Sequence, residues 1–218
     1  MQLVLLGFGN LQDLKYLIFV FFLLCYVIII FGNSLVISLI TTNKKLHSPM
    51  YFFLCNLSIC EILFTTIFVP FILYVIWGNG ASISFYGCVT QLYLGASVGS
   101  GECLFLTVMA YDRYLAICNP LRYSAIMNNK MQNHLSLCCW LPGFIAMAFL
   151  IISICNLTYC GSNIIDHVLC DLGSFLQLPS ADTYIVEIVG SIVTFPFSIL
   201  PLTLISLSYV SIFFTILR

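Results

Sequence analysis

Apolar positions in this chain fall in long, nearly unbroken runs separated by short polar joints. Lys15 and Lys44 bracket a stretch without a charged residue, and Tyr16–Ile40 inside it is almost wholly apolar. As a helix rising ~1.5 Å per residue it reaches ~37 Å, enough to cross a ~30 Å hydrocarbon layer with some tilt. Gly32-Asn33-Ser34 sits inside the run, with Leu35–Ile40 beyond it, so the pattern predicts a retained span rather than a signal peptide. Further runs predict spans over about 50–77, 88–118, 135–153 and 183–217. Pro49 suits the first turn of the second span, and Pro70 kinks its later part. Pro196 and Pro201 bend the fifth, as hinges or as packing features.

Composition narrows the class. Of the 218 residues 61% are apolar and only 7% charged, too few charges to cover a water-exposed surface, and the mean hydropathy is +1.10. The formal charge of −1 supplies no basic field for nucleic acid. The expected fold is all-α, a polytopic transmembrane helix bundle forming a single domain over residues 1–218 in the lipid bilayer. Lys44, Lys45, Arg122 and Lys130 fall in the joints after spans one and three, Arg113 near the end of span three, and Arg218 after span five. Lys15 alone carries positive charge on the other side, so the N-terminus is expected outside a multi-pass chain. The segment from Ile154 to Asp182 is then extracellular; it holds Asp166, Asp171 and Asp182 and no Lys or Arg.

Of the 11 cysteines, seven lie in spans as small apolar residues; Cys88, Cys155, Cys160 and Cys170 lie at or beyond the outer face. Four cysteines allow three complete pairings, and sequence alone does not choose among them. Asn56-Leu57-Ser58 is a glycosylation triplet inside span two, out of reach. Asn156-Leu157-Thr158, at the outer end of span four, is a candidate acceptor.

Span three ends Met109-Ala110-Tyr111-Asp112-Arg113-Tyr114-Leu115-Ala116-Ile117-Cys118-Asn119-Pro120-Leu121-Arg122-Tyr123. This run closely resembles the signature of the odorant receptors within the rhodopsin-like G-protein-coupled receptors. Gly32-Asn33, Leu46-His47-Ser48-Pro49-Met50-Tyr51-Phe52-Phe53-Leu54, Trp140, Ser208-Tyr209 and the loop from Cys160 to Asp171 are similar to the same family. The resemblance covers nearly the whole chain. It implies seven spans, of which five are here, so the chain is expected to be a truncated form lacking spans six and seven. It implies the plasma membrane as the chain's location and a Cys88–Cys170 disulfide. Ser180 stands where the family has a further cysteine, which leaves Cys155 as a substitute partner for Cys160.

Several residues carry candidate chemistry. Asp112 and Arg113, at the inner end of span three, can simply reach the interface. The resemblance implies instead a G-protein switch of Asp112, Arg113, Tyr114 and Tyr209, in which Arg113 pairs with Asp112 at rest and meets Tyr209 in the active state. Glu61 and Glu102 lie deep inside spans, where ionisable groups are costly. Glu61 is eleven residues after Met50 and Glu102 eleven before Arg113, so both are expected ~16 Å above the inner face. They can be two protonated, hydrogen-bonded acids, or a cation site; the resemblance suggests sodium, with Glu61 where relatives usually carry aspartate. The outer half of span three is small: Gly95, Ala96, Gly99 and Ser100 either allow close helix packing or leave room for a ligand. Val189, Val193 and Phe197 lie four apart on span five, and a pocket between these faces would be apolar with a few hydroxyls.

His47, His134 and His167 show no metal spacing, and no enzyme motif occurs. The expected function is an odorant receptor that binds a small volatile organic ligand and acts through a heterotrimeric G protein of the olfactory stimulatory type, with no cofactor beyond the sodium. A truncated chain lacks the sixth helix, the element that moves in relatives, and is expected to give no odorant-dependent cAMP rise alone. The alternatives are a non-signalling partner of full-length receptors and, from the intramembrane carboxylates, a channel or transporter piece. No internal repeat supports the last.

Overall fold

The structure is a computed structural model that describes residues 2–7, 14–157, 164–165, 167–176 and 183–217. Cys160, Asp166, Ser180, Asp182, Arg218 and the Thr158 of the glycosylation triplet lie outside the described residues.

Five long helices form the bundle: α1 (Lys15–Thr42), α2 (Pro49–Gly78), α3 (Phe85–Cys118), α5 (Asn129–Cys155) and α7 (Thr183–Ile216). Each contains an apolar stretch long enough to cross a membrane. Two short helices, α4 (Pro120–Ile126) and α6 (Leu172–Leu176), and a 3-10 turn (Lys44–Leu46) complete the helical set. The start points follow local chemistry. Pro49 opens α2, the Ser84 hydroxyl accepts from Gly87 N–H at the head of α3, and Asn128 Oδ1 accepts from Met131 N–H at the head of α5. The observed helices extend beyond the apolar runs at several ends, because capping residues and not hydrophobicity set where a helix stops.

α3 is the central element and packs against α2, α5 and α7, while α1 packs against α2. Outward faces stay apolar: Phe31 is 70% exposed on α1 and Ile192 67% on α7, as suits contact with acyl chains. Asn56 ties α2 to α5 by accepting from Ser136 Oγ (3.3 Å) and Trp140 Nε1 (3.2 Å). The glycosylation-like triplet in span two is therefore used internally.

One end also carries a three-stranded sheet that the helix pattern does not predict. β1 (Gln2–Leu5) lies between β2 (Ala81–Ser84), antiparallel, and β3 (Ile164–Ile165), parallel. Leu3 and Leu5 point inward with no exposed surface and join Cys88, Cys170, Ile165 and Phe175 in one apolar cluster. Gly80 makes this approach possible. Its φ is +114°, and a Cβ there would meet Leu5 O at 2.8 Å. Cys88 on α3 is disulfide-bonded to Cys170, with Cα atoms 5.3 Å apart, so the loop before α6 is fixed to the same end.

Candidate ligand pocket, intramembrane carboxylates and arginine switch

The four positions from α3 proposed for a pocket divide between two faces. A Cβ on Gly95 would run into the Phe68 ring, and one on Gly99 would touch Phe64 at 3.4 Å, so both glycines face α2. They serve close packing, not the α7 side. Ser100 is buried, donates to Ala96 O at 2.7 Å, and faces Gly143 of α5. Ala96 differs: it packs, as do Val189, Val193 and Phe197, against the apolar cluster that holds Leu3 and Leu5. Four of the seven pocket candidates thus border one apolar cluster, while Gly95 and Gly99 face α2 and Ser100 faces α5. Neighbouring positions on a helix face different ways, which parts Gly95 from Ala96 and Gly99 from Ser100.

Deeper in the bundle, Asn33 Nδ2 donates to Glu61 Oε2 at 2.9 Å and to Ile29 O at 3.1 Å. Glu102 Oε1 is buried without a hydrogen-bond partner among the described residues. A buried carboxylate oxygen without a partner is a ligand atom of the hard kind that a small cation takes, though no cluster of three or more His, Cys, Asp or Glu forms among the described residues. Asn33 was missed as a partner in reading the sequence, although a polar amide in the apolar run 16–40 was the available signal.

At the other end, Arg113 Nη1 donates to Tyr209 OH at 3.0 Å, joining α3 to α7. Cys118 Sγ and Thr215 Oγ1, 3.2 Å apart, make a second tie between the same helices. Asp112 does not bond to Arg113. It is 2% exposed and accepts from Tyr123 OH of α4 at 2.9 Å. Adjacent helical residues point in different directions, so Asp112 turns into the bundle while Arg113 stays exposed toward α7. Burial and then the bond to the Asp112 carboxylate push the Tyr123 phenol up to about 12, because both disfavour the phenolate. Tyr114 packs against a second apolar cluster that includes Phe53, Leu115 and Met127. Tyr123 is the residue overlooked here; it stands at the end of the quoted signature, and only α4 brings it back onto α3. Asn156, the glycosylation candidate, is exposed just past the end of α5.

Comparison with known proteins agrees with this geometry. Residues 32–218 match the 7 transmembrane receptor (rhodopsin family). Olfactory receptor 6C3 of Homo sapiens is 41% identical over 217 residues, covering all of this chain and 70% of that receptor. Olfactory receptor 6J1 of Homo sapiens is also 41% identical, over 100% of this chain and 62% of its own length. Olfactory receptor 287 of Rattus norvegicus is 44% identical over 187 residues, 86% of this chain and 60% of that receptor. An apolar helix bundle fixed at one end by a disulfide, with an intramembrane carboxylate pair and an Asp-Arg-Tyr helix end, matched along its whole length by such relatives, belongs to the olfactory receptors of the rhodopsin-type seven-transmembrane family.

Proposed function

We propose that the chain senses a small volatile organic ligand between α3 and α7 and passes the change to a heterotrimeric G protein of the olfactory stimulatory type at the Arg113 end. The disulfide end and the N-terminus face outside and the Arg113 end faces the cytoplasm, in keeping with where the Lys and Arg residues lie. The observation that carries the reading is the 3.0 Å bond from Arg113 to Tyr209. It joins at their inner ends the same two helices that hold Ala96, Val189, Val193 and Phe197 toward their outer ends. A ligand seated among those four side chains changes the spacing of α3 and α7. That spacing decides whether Arg113 reaches Tyr209. Asp112, held by Tyr123, does not compete for the arginine.

Glu61 and Glu102 would hold a sodium ion, with Asn33 orienting Glu61. The ion supplies positive charge where two carboxylates are otherwise uncompensated.

The test is a chimera in which residues 1–218 replace the matching part of olfactory receptor 6C3, expressed with the olfactory stimulatory G protein. An odorant panel is expected to raise cAMP. Arg113→Ala is expected to abolish the rise, and Tyr209→Phe to lower its maximum. A chimera at the cell surface whose odorant response is unchanged by Arg113→Ala would overturn the reading.

A further inference from the structure

Two neighbouring cavities at the Arg113 end lie apart from the pocket and share only Tyr123 with the switch. One, of about 440 Å³, opens between α1, α2 and α5 and has Ile40, Leu46, Phe52 and Cys55 on its walls. The other, of about 730 Å³, lies beside it and is lined in part by Tyr123, Ser124 and Lys130. His47, Asn129 and Gln132 border both, so the two form one groove.

The chemistry of the groove changes along its length. Its apolar end lies among residues of the spans. Its polar end lies among the joints and carries two basic side chains, His47 and Lys130. Both are exposed, and neither has a hydrogen-bond or ion-pair partner among the described residues. No carboxylate lines the groove. Asp112, the acid at this end, is buried and engaged by Tyr123. The first residue of the 27-residue helix α5, Asn129, also borders the polar end, and a helix start favours negative charge. An apolar trough continuous with a rim that carries the Lys130 ammonium and the His47 imidazole at the membrane face matches a molecule with an acyl chain and an anionic head.

We propose that this groove binds one anionic phospholipid of the adjacent leaflet. Its phosphate sits between His47 and Lys130, and an acyl chain lies against Ile40, Leu46, Phe52 and Cys55. The leaflet rests on the orientation given above, because anionic lipids concentrate on the cytoplasmic side. Binding itself is tested without reference to orientation.

The chain is purified in detergent and exposed to equal amounts of phosphatidylserine and phosphatidylcholine with the same acyl chains. Mass spectrometry of the intact protein then reads the retained lipid. One phosphatidylserine is expected at fivefold or greater preference. The double variant His47→Gln/Lys130→Gln is expected to bring the ratio near one, while Lys45→Gln, outside the groove, leaves it unchanged. A ratio near one in the unmodified chain, or an equal loss with Lys45→Gln, overturns the proposal. Glycerophosphoserine, the head without acyl chains, is expected to compete poorly; equal competition would assign the groove to a free polar anion and also overturn it. Phosphatidylserine with a photoreactive acyl chain is expected to crosslink within residues 40–55 of the unmodified chain, and crosslinks confined elsewhere reject the site even if the double variant folds poorly.

Discussion

Single residues divide sharply by whether their role is set by their own chemistry or by a neighbour far along the chain. Glu61 and Glu102 stand out from sequence because a carboxylate deep in an apolar run has to be explained. Asn33 does not, because an amide is cheaper to bury, and its use depends on α1 lying against α2. The arrangement predicts a sodium effect on stability. A ligand that binds only the folded chain adds about 1.4 kcal/mol when it stands near tenfold above its dissociation constant. The purified chain is therefore expected to unfold a few degrees higher in sodium chloride than in choline chloride at equal ionic strength. The difference should vanish in Glu61→Gln/Glu102→Gln. An unchanged sodium difference in that double variant rejects the cation site and leaves two hydrogen-bonded acids. Asp112 depends on a remote residue as well: the Tyr123 phenol, brought back by α4, donates to its carboxylate while Arg113 reaches Tyr209, the contact that the resemblance implies for the active state.

At the scale of elements, the five spans were legible because an apolar run longer than a bilayer is thick has few other uses in a protein. The strand Gln2–Leu5 was not. Alternation marks a strand only when the outward positions are polar, and here Val4 faces out while Leu3 and Leu5 face in. Its partners, Ala81–Ser84 and Ile164–Ile165, are also remote in sequence. The small residues of α3 were visible as a group but not as faces, so packing and pocket positions were mixed. The seam between α3 and α5 brings a helix against backbone rather than a movable ring. A Cβ on Gly143 would meet Ser97 O at 2.7 Å and Ser100 Cβ at 3.0 Å. Backbone oxygen cannot move aside as a side chain can, so the helices have to separate. Gly143→Val is expected to cost about 1–3 kcal/mol. It should lower the thermal midpoint of the detergent-solubilised chain by several degrees. Gly32→Ala is the control, since a Cβ there meets nothing within 4 Å. Equal midpoints for both variants would mean that α3 and α5 do not pack as described.

For the whole molecule, the two ends are chemically unlike, and that asymmetry bears on which way the bundle sits. Lys44, Lys45, Arg122 and Lys130 occupy the joints at one end. Lys15 is the lone described cation at the other. Its ammonium donates to Trp77 O at 2.7 Å, one residue before the close of α2, and lies 6.0 Å from the Trp77 ring centre. A cation at the carbonyl end of a helix is partly compensated where it stands. It therefore opposes the four joint cations weakly, and the charge balance favours retaining their end in the cytoplasm. An epitope placed ahead of Met1 is expected to be reached by antibody on intact cells. With Lys44, Lys45, Arg122 and Lys130 all changed to Gln, the bias is removed and the reachable fraction should fall to roughly half. An epitope on the unmodified chain seen only after permeabilisation would invert the bundle and move the Arg113–Tyr209 contact to the outer face. A fourfold variant that keeps full surface staining would leave the orientation standing and remove charge as its cause.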